Sequence, residues 1–397
     1  MEPMSNLLRA AVIGIGNMGS AHAHCIYSGA ISGMRLSAVC DLRPERLAWA
    51  GQELPGVRTF SDYHALIASG ETDAVIVAVP HPLHSVIVME ALKAGLHVLC
   101  EKPLDIRLSL ARRAVETGRA SGKIFAVMLN QRTNPIFQKA RELIAGGQLG
   151  EIKRSVWIIT NWYRTQHYYD SGDWRATWKG EGGGVLLNQA PHNLDLWQWI
   201  CGMPVEITAR CDTAHYHHVE VEDDATLLTR YANGASGCFI TSTGEYPGTN
   251  RLEISGTKGK IVLEDGKLKS WLLKEDEQVV RFSSGLSSPD IPLDYSEWEP
   301  DTAPSAHAGI LQNFTDAILR GAPLLSPAED GLNELALSNA AYLSAWQGNV
   351  PVQFPLDENQ FDQLLDEHQA SSRGPATSPA QTHEISGEYS DRWQVKW

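Results

Sequence analysis

Continuous apolar runs alternate with longer amphipathic segments through the first third of the chain. The runs have the length of buried strands and lie at 9–13, 35–40, 74–78, 96–100 and 124–128. The segments between them predict helices, most clearly at 84–94 and 108–121. Apolar strands separated by helices are typical of a parallel sheet covered on both faces, because each crossover lays a helix over the sheet. We therefore predict a doubly wound α/β domain over residues 1–128.

Beyond Gly150 apolar and polar positions alternate, which is the period of half-buried strands. Residues 225–231 and 235–242 flank Asn233-Gly234, a dipeptide typical of tight hairpin turns. Further strands are predicted at 152–160, 251–255, 260–263, 268–273 and 278–282, and helices at 307–319 and 328–346. The pattern predicts an α+β domain over 129–355. A tail or arm follows at 356–397, with a short helix at 361–368.

Composition narrows the classes of partner. The chain has 397 residues, a formal net charge of −14 and an isoelectric point near 5.4, which argues against nucleic acid and anionic membranes as partners. No apolar run approaches the ~20 residues of a membrane span, and residues 1–8 lack the pattern of a secretory signal. Six cysteines are scattered without a CxxC pair, so we expect no disulfide framework and a cytoplasmic location.

A histidine-rich run, His215-Tyr216-His217-His218, precedes several acids and superficially suggests a metal site. Alternating residues of a strand point to opposite faces, and the spacing matches no standard zinc pattern. We therefore expect no metal.

A glycine fingerprint follows the first apolar run. The run ends at Ile13, and Gly14, Gly16 and Gly19, with Asn17 and Met18 between the last two, lead into a helix. In a strand–turn–helix context the first glycine permits a tight turn and the second lets the backbone approach a pyrophosphate. The third allows close packing of helix and strand, and the helix offers free N–H groups to the phosphates. These residues predict a dinucleotide site.

The second apolar run ends in Asp41, at about the spacing from the glycines where an acidic side chain binds the adenosine ribose. A carboxylate there repels a 2′-phosphate, so NAD is favoured over NADP, although Arg43 can soften that preference. The alternative for Asp41 is a helix cap before Pro44.

Two later segments resemble the signatures of the Gfo/Idh/MocA family (glucose–fructose oxidoreductase/inositol dehydrogenase type). The first, residues 91–104, contains Glu101-Lys102-Pro103, and the second, residues 182–195, contains three glycines followed by Asn188 and His192. With the glycine fingerprint, the resemblance covers roughly residues 7–350. It implies a Rossmann domain followed by a domain with a large, open, mostly antiparallel sheet. It also implies assembly into homo-oligomers, either dimers or tetramers.

The resemblance assigns a catalytic role to Lys102, beside the nicotinamide and the reacting hydroxyl. An ammonium group there lowers the cost of developing alkoxide charge, whereas the alternative is a simple ion pair with Glu101. Pro80, His84 and Glu101 are implied to lie at the nicotinamide end of the cofactor site. The alternative for His84 is a cap on the helix that it begins.

His192 matches the family's general acid/base, a role that imidazole suits because its unperturbed pKa lies near physiological pH. Relatives of the commonest dehydrogenase form have Asp where this chain has Asn188. An amide binds a hydroxyl but takes no proton, so proton handling is expected to rest on His192 with Lys102. Asp195 is either a partner of His192 or an exposed or capping residue. Pro191 either starts a helix or kinks one.

Residues 161–179 are rich in aromatic and cationic side chains, which are typical of carbohydrate sites. The candidate substrate-binding residues are Arg132, Trp162, Arg164, Tyr168, Trp174, Arg175, Asn188 and His192. The cations suit a carboxylate, sulfonate or phosphate on the substrate. The alternative is an oligomer interface or a surface loop.

These observations favour an NAD-dependent oxidoreductase that transfers a hydride between the cofactor and a hydroxyl of a sugar, sugar derivative or polyol. The alternative is an NAD-dependent oxidoreductive glycosidase. Such an enzyme oxidises the sugar transiently, eliminates the aglycone, adds water and returns the hydride. A non-catalytic dinucleotide-binding sensor is disfavoured because Lys102 and His192 are both present.

Overall fold

The computed structural model of the chain describes residues 7–172 and 174–374, which form two compact units. Unit 1 comprises residues 7–133, 180–182 and 305–335, and unit 2 comprises the other described residues. The predicted boundary at 128/129 is close to the one observed. Residues 305–335, which fall within the predicted second domain at 129–355, return to unit 1. Their apolar side chains Ile310, Leu311 and Phe314 complete its core.

Unit 1 contains a six-stranded parallel sheet in the order β3-β2-β1-β4-β5-β6, the order expected for a Rossmann domain. Its strands are β1 (Leu8–Ile13), β2 (Met34–Cys40), β3 (Arg58–Phe60), β4 (Ala74–Val77), β5 (His97–Cys100) and β6 (Phe125–Val127). The helices of this unit are α1 (Asn17–Tyr27), α2 (Pro44–Glu53), α3 (Tyr63–Ala68), α4 (His84–Lys93), α5 (Leu108–Ser121) and, from the returning segment, α10 (Ala306–Arg320). The predicted doubly wound α/β domain is confirmed.

Unit 2 is built on a nine-stranded sheet in the order β14-β13-β12-β11-β7-β10-β9-β8-β15, with β7 and β10 as its parallel pair. Its strands are β7 (Ile152–Ile159), β8 (Glu206–Thr213), β9 (Glu222–Arg230), β10 (Ser236–Ser242), β11 (Asn250–Gly256), β12 (Gly259–Glu264), β13 (Lys267–Leu273), β14 (Leu293–Trp298) and β15 (Val352–Gln353). The hairpin predicted around Asn233-Gly234 joins β9 to β10 with Arg230 opposite Ser236. The large, mostly antiparallel sheet is therefore confirmed.

The remaining helices are α6 (Pro135–Ala145), α7 (Gln166–Asp170), α8 (Pro191–Cys201), α9 (Glu277–Ser283), α11 (Gly331–Trp346) and α12 (Glu358–Ser371). The strand predicted at 278–282 is wrong, because this segment is α9. Asp276 caps the helix by accepting a hydrogen bond from the Gln278 N–H, and Glu277 pairs with Arg281 one turn later. These local contacts outweigh the strand preference of the two adjoining valines.

The short helix predicted near the C-terminus is confirmed as α12, which packs on unit 2 of its own chain. Its Phe361 is buried, and the His368 ring stacks on Trp346 with the ring centroids 4.4 Å apart. The rest of the predicted tail, from 375 onward, lies outside the described residues. None of the helices formed by the described residues combines the length and apolarity needed to cross a bilayer.

Candidate active site

The glycine turn after β1 has room for glycine alone at two positions. Gly14 has a φ of +86°, and a Cβ there would lie 2.5 Å from the carbonyl oxygen of Ala78. A Cβ on Gly19 would lie 1.7 Å from the carbonyl oxygen of Gly14. Gly16, by contrast, caps α1 without a side-chain bond, and its Cβ would meet nothing nearer than Arg43 at 3.8 Å. The N–H end of α1 is therefore available to a phosphate, as a dinucleotide requires.

Asn17 and Met18, which the sequence predicts to contact the cofactor, are the first two residues of α1. Asp41 follows β2, and its carboxylate accepts hydrogen bonds from the backbone N–H of Ile15 at 3.0 Å and of Arg43 at 3.0 Å. The Arg43 guanidinium also donates to it from Nε at 3.1 Å. The carboxylate and guanidinium thus lie side by side at the carboxyl end of β2, so the residues fit the ribose end of a bound NAD.

Glu101 and Lys102 follow β5 at the same edge of the sheet. Glu101 is buried, and its Oε1 lies 2.7 Å from Nε2 of His22 on α1. The His22 ring lies 5.6 Å from that of His307, which is on α10. Burial by itself would raise the pKa of Glu101, but the hydrogen bond from His22 and the charges of His22, His307 and Lys102 lower it to about 2. Glu101 is therefore a permanent anion beside Lys102, whose backbone N–H donates to it.

His84 contacts the backbone of two segments, whereas the structural role that the sequence suggested for it was a helix cap. The ring is completely buried, with Nδ1 2.6 Å from the Pro103 carbonyl oxygen and Nε2 2.8 Å from that of Val79. Burial lowers the pKa of His84. Both ring nitrogens lie within hydrogen-bond distance of backbone carbonyl oxygens, and the neutral ring donates to one of them. His84 thus joins the turn after β4 to the segment after Lys102, and its place among the cofactor ligands stays a prediction. Pro80 precedes the short 3-10 turn His81–Leu83 at the carboxyl end of β4.

Arg132 is also accounted for without a substrate. Its side chain is 1% exposed, and its guanidinium forms an ion pair with Asp330 and donates to the Leu325 carbonyl oxygen at 3.2 Å. Both partners belong to the segment that returns to unit 1. Arg132 therefore has a structural role in closing that unit, and its contact with substrate stays a prediction.

In unit 2 the hydroxyl of Tyr168, on α7, accepts three hydrogen bonds from side chains of the predicted substrate region. The donors are Arg175 at 2.8 Å, Gln189 at 3.1 Å and Asn188 at 3.4 Å. With its oxygen occupied by donors, the Tyr168 hydroxyl has its own proton left to donate. The structure thus brings together Tyr168, Arg175 and Asn188, which the sequence singled out separately, and adds Gln189.

Guanidinium groups and aromatic rings alternate across this region. The Arg175 guanidinium lies 4.6 Å from the ring centres of both Trp174 and Tyr168. The Arg164 guanidinium also lies near Tyr168, 5.1 Å from its ring centre, and it lies 5.8 Å from the ring centre of the buried Trp162. We call these five residues the cation–aromatic stack. Contacts of this kind hold the guanidinium planes in place without neutralising them.

A cavity of about 460 Å³ adjoins the stack within unit 2. Its charged and titratable lining residues are Tyr169, Asp170, Arg175, His217, His218, Glu220 and Arg373. Arg175 therefore contributes both to the cavity wall and to the hydrogen bonds around Tyr168. Arg373, just after α12, brings the end of the described chain to the cavity, where its backbone N–H donates to Glu220.

His192 is the second residue of α8, which begins at Pro191, so the proline starts the helix rather than kinking it. Asn188 precedes the helix, and its backbone N–H donates to the Gly184 carbonyl oxygen at 2.9 Å. Asp195 is buried and accepts a hydrogen bond from Gln198 at 3.0 Å, so it is neither exposed nor a cap.

The histidine-rich run is divided between two environments. His217 is hydrogen-bonded through both ring nitrogens to Asp223 and to the Arg164 carbonyl oxygen. His215 lies near Asp212 and Asp224, with one ligand atom of each residue within 4.8 Å of the others. Arg210 already donates to Asp212 from Nε at 2.9 Å, which supplies a cation to that group.

Sequence reasoning missed several partners of the site: His22, Gln189, Glu222 and Tyr342, which are buried, and His307 and His217, which are half-buried. Each is far in sequence from the group that it contacts, with the exception of Gln189. An isolated histidine on a helix or glutamate on a strand carries no local signal of such a contact.

Comparisons with known proteins identify the family of both parts of the chain. Residues 8–129 match a model described as an oxidoreductase family with an NAD-binding Rossmann fold, and residues 137–262 match a GFO/IDH/MocA C-terminal domain. A myo-inositol 2-dehydrogenase of Thermotoga maritima is 28% identical over 84% of this chain and 95% of its own length. An inositol 2-dehydrogenase of Rhizobium meliloti is 26% identical over 85% of this chain and 96% of its own.

Among solved structures, the WlbA dehydrogenase of Bordetella pertussis, in complex with NADH and UDP-GlcNAcA, is similar with a TM-score of 0.74. It is 27% identical, and the similarity covers 88% of this chain and 100% of that one.

Proposed function

Because the chain belongs to the Gfo/Idh/MocA family of NAD-binding oxidoreductases, we propose that it oxidises a hydroxyl of a sugar, sugar derivative or polyol. The observation that carries the proposal is the shared edge of the sheet in unit 1. The glycine turn follows β1, Asp41 follows β2, and Lys102 follows β5, all at the carboxyl ends of parallel strands, where such sheets bind their ligands. Bound NAD⁺ supplies the hydride acceptor.

Lys102 acts as the electrostatic catalyst in this proposal. Its ammonium group stabilises the negative charge that grows on the substrate oxygen as the hydroxyl is oxidised. Glu101, with its pKa lowered to about 2, stays ionised beside it and favours the charged form of the lysine.

His192 exchanges the hydroxyl proton through a ring nitrogen, and Asn188 binds a substrate hydroxyl without exchanging a proton. Tyr168 donates a further hydrogen bond to the substrate, since its oxygen already accepts from Arg175, Gln189 and Asn188. Proton exchange is assigned to His192 and not to Asn188, because the side-chain amide of Asn188 is not a base.

We further propose that the substrate carries an anionic group that pairs with Arg175. Among the described residues Arg175 has no carboxylate partner, and its guanidinium is held between two aromatic rings beside the cavity. The relative from Bordetella pertussis binds an anionic sugar nucleotide, UDP-GlcNAcA.

A second candidate is redox-neutral cleavage of an anionic glycoside with water as co-reactant. Asn188 in place of the usual aspartate favours it, because it departs from the simple dehydrogenase pattern. The cavity beside Arg175 has an ordinary volume for a small-molecule site and would receive the group beyond the reacting ring.

The test is incubation of the purified protein with NAD⁺ and a panel of neutral and anionic sugars, polyols and aryl glycosides. NADH absorbance and released aglycone are followed together. Stoichiometric NADH from a free sugar or polyol establishes the dehydrogenase. Aglycone release with catalytic NAD⁺ and no net NADH establishes the glycosidase. Neither signal across the panel contradicts both.

We also propose a cytoplasmic homo-oligomer, either a dimer or a tetramer, on the strength of the family resemblance. Light scattering on the purified protein measures the assembly directly, and a monomer at micromolar concentration would contradict it.

A further inference from the structure

Strand β9 begins with two consecutive acids, Glu222 and Asp223, that are each 1% exposed. Consecutive side chains of a strand point to opposite faces of the sheet. The two carboxylates therefore lie on opposite faces of the sheet, and each accepts hydrogen bonds from the backbone N–H groups of a different loop.

Glu222 holds the loop that leads to Asn188 and His192. Its carboxylate accepts from the N–H groups of Gly184 and Leu186, both at 2.9 Å, and from the Tyr342 hydroxyl at 2.8 Å. Its own carbonyl oxygen accepts from the N–H of Val185 at 3.1 Å. Three successive N–H groups of the loop thus end on one residue.

The glycines at 183 and 184 leave room for the loop to approach Glu222 and Tyr342 closely. A Cβ on Gly184 would lie 1.9 Å from the Glu222 carbonyl oxygen, and one on Gly183 would lie 2.2 Å from the Tyr342 hydroxyl oxygen. Close approach of the loop to Glu222 and Tyr342 therefore requires glycine at both positions. The loop then closes on itself, with the Asn188 N–H bonded to Gly184, immediately before α8 presents His192.

Asp223 holds the other loop. It accepts from the N–H groups of His215 at 2.9 Å, Tyr216 at 2.8 Å and His217 at 2.9 Å. It also accepts from Nδ1 of His217, whose Nε2 lies 3.0 Å from the Arg164 carbonyl oxygen. Burial alone would lower the pKa of His217, but the bonds to Asp223 and to that carbonyl raise it. Asp223 thus reaches the backbone of the cation–aromatic stack through His217.

We propose that Glu222 and Asp223 are positioning residues, each of which sets one half of the site. Glu222 positions the segment carrying Asn188 and His192, and Asp223 positions the substrate-binding stack at Arg164. The inference rests on the proposed function, because it takes His192 as the proton-exchanging group and Arg164 as part of the substrate wall.

The test compares the Glu222→Gln and Asp223→Asn variants in steady-state turnover of the best substrate of the panel. Glu222→Gln replaces one acceptor oxygen by an N–H donor, so the loop shifts and kcat falls by at least about tenfold, a larger change than that in KM. Asp223→Asn removes the charge that holds His217, so KM rises by about tenfold while kcat changes little. Asp224→Asn, the next acid of the same strand, is the matched control and leaves both constants within about twofold.

Amide hydrogen exchange separates this inference from the proposed function, because it needs no substrate. Glu222→Gln speeds exchange in residues 184–190, and Asp223→Asn speeds exchange in residues 215–217. A wild-type protein without turnover across the panel contradicts the proposed function. An active wild type whose two variants alter kcat and KM in the same proportion, or neither constant, overturns the inference.

If the Glu222→Gln or Asp223→Asn variant fails to fold, two milder variants still test the inference. Tyr342→Phe removes one donor to Glu222 and the long hydrogen bond from the Gly184 N–H at 3.3 Å, but it leaves both bonds from the loop to Glu222, so kcat falls less than in Glu222→Gln. His217→Gln breaks the link from Asp223 to Arg164, so KM rises. NADH binding, which belongs to unit 1, and the thermal unfolding midpoint confirm that each variant is folded. A Tyr342→Phe variant that alters only KM contradicts the assignment.

Discussion

The two units each bury a glutamate next to a segment with a proposed catalytic residue, and the two glutamates behave in opposite ways. Glu101 in unit 1 and Glu222 in unit 2 are 6% and 1% exposed. The pKa of Glu101 is lowered to about 2, whereas burial raises that of Glu222 to about 7. The surroundings of the first glutamate thus favour its charged form, and those of the second favour its neutral form.

The difference lies in the charge of the hydrogen-bond partners. Glu101 faces His22 at 2.7 Å and the charge of Lys102, so Coulomb attraction offsets the cost of burial. Glu222 has two backbone N–H groups and the Tyr342 hydroxyl, which are neutral. Neutral donors orient a carboxylate well but only partly replace the water that it has lost. Unit 1 thus stabilises a buried charge beside Lys102, and unit 2 uses a carboxylate to bind the backbone of a loop.

Lys102→Met gives the largest expected effect, since it removes the charge on which the role of unit 1 depends. We expect kcat to fall about 10²- to 10³-fold, the usual loss when one charge-stabilising group is removed. NADH binding, measured by fluorescence, is expected to remain. Lys93→Met, at an exposed position of α4, is the control and keeps full turnover. Turnover of Lys102→Met near the wild-type rate would refute the electrostatic role.

His22→Ala tests the pairing of Glu101 directly. It leaves a buried carboxylate without its neutralising partner, so the free energy of unfolding at pH 7 falls by about 3 kcal/mol. Because the folded-state pKa of Glu101 is lowered, its stabilising contribution is present at neutral pH and disappears as pH falls through about 2. Urea unfolding measures the change, with His24→Ala, exposed on the same helix, as control.

A second substitution sharpens that test. Adding Glu101→Gln to His22→Ala removes the stranded charge, so the double variant is expected to recover part of the lost stability. If the double variant is less stable by the sum of the two single effects, the two residues are not coupled and the comparison of the two glutamates fails.

Glu222→Gln tests the raised pKa of Glu222 through the pH dependence of stability. Since the folded-state pKa of Glu222 is raised above its ordinary value, the folded protein binds that proton more tightly than the unfolded chain. The folded protein therefore loses about 3 kcal/mol of stability from this group as pH rises from below 4.5 to above 7. Gln does not ionise, so the thermal unfolding midpoint of the variant rises relative to wild type between pH 5 and pH 8. Glu142→Gln, exposed on α6, gives a constant difference, and the same constancy for Glu222→Gln would contradict the raised pKa.

Local features of the sequence predicted much of the fold. The glycine fingerprint, the alternation of apolar runs with helices and the Asn233-Gly234 turn each act within a few residues, and each is confirmed. The strand predicted at 278–282 is wrong because a cap and an ion pair of similar range were overlooked.

Long-range pairing could not be predicted in the same way. The contact of His22 with Glu101 joins residues 79 positions apart, and that of Arg132 with Asp330 joins residues 198 positions apart. An amphipathic helix such as α10 shows which face it buries but not which core receives that face. The buried carboxylate of Glu222 resembles an ordinary polar position of a strand, because its partners are backbone groups that any residue offers.

Asp41 is a third buried carboxylate, predicted from the sequence, and it resembles Glu101 in having a cationic partner. Its pairing with Arg43 keeps that guanidinium from a 2′-phosphate, so removal of the carboxylate changes cofactor preference in two ways. Asp41→Ala loses a ribose hydrogen bond, which raises the KM for NAD⁺, and it frees Arg43 to bind NADP⁺. We expect the ratio of kcat/KM for NAD⁺ over NADP⁺ to fall by about tenfold, the smallest of these effects at about 1.4 kcal/mol.

The companion variant Arg43→Ala distinguishes the two contributions. It keeps the carboxylate and removes the cation, so NADP⁺ becomes a still poorer substrate while the KM for NAD⁺ changes little. Asp41→Ala combined with Arg43→Ala is expected to lose NAD⁺ affinity without gaining NADP⁺. If the double variant used NADP⁺ as well as Asp41→Ala does, Arg43 would have no part in cofactor selection. The pairing of Asp41 with Arg43 would then be structural, like that of Arg132 with Asp330.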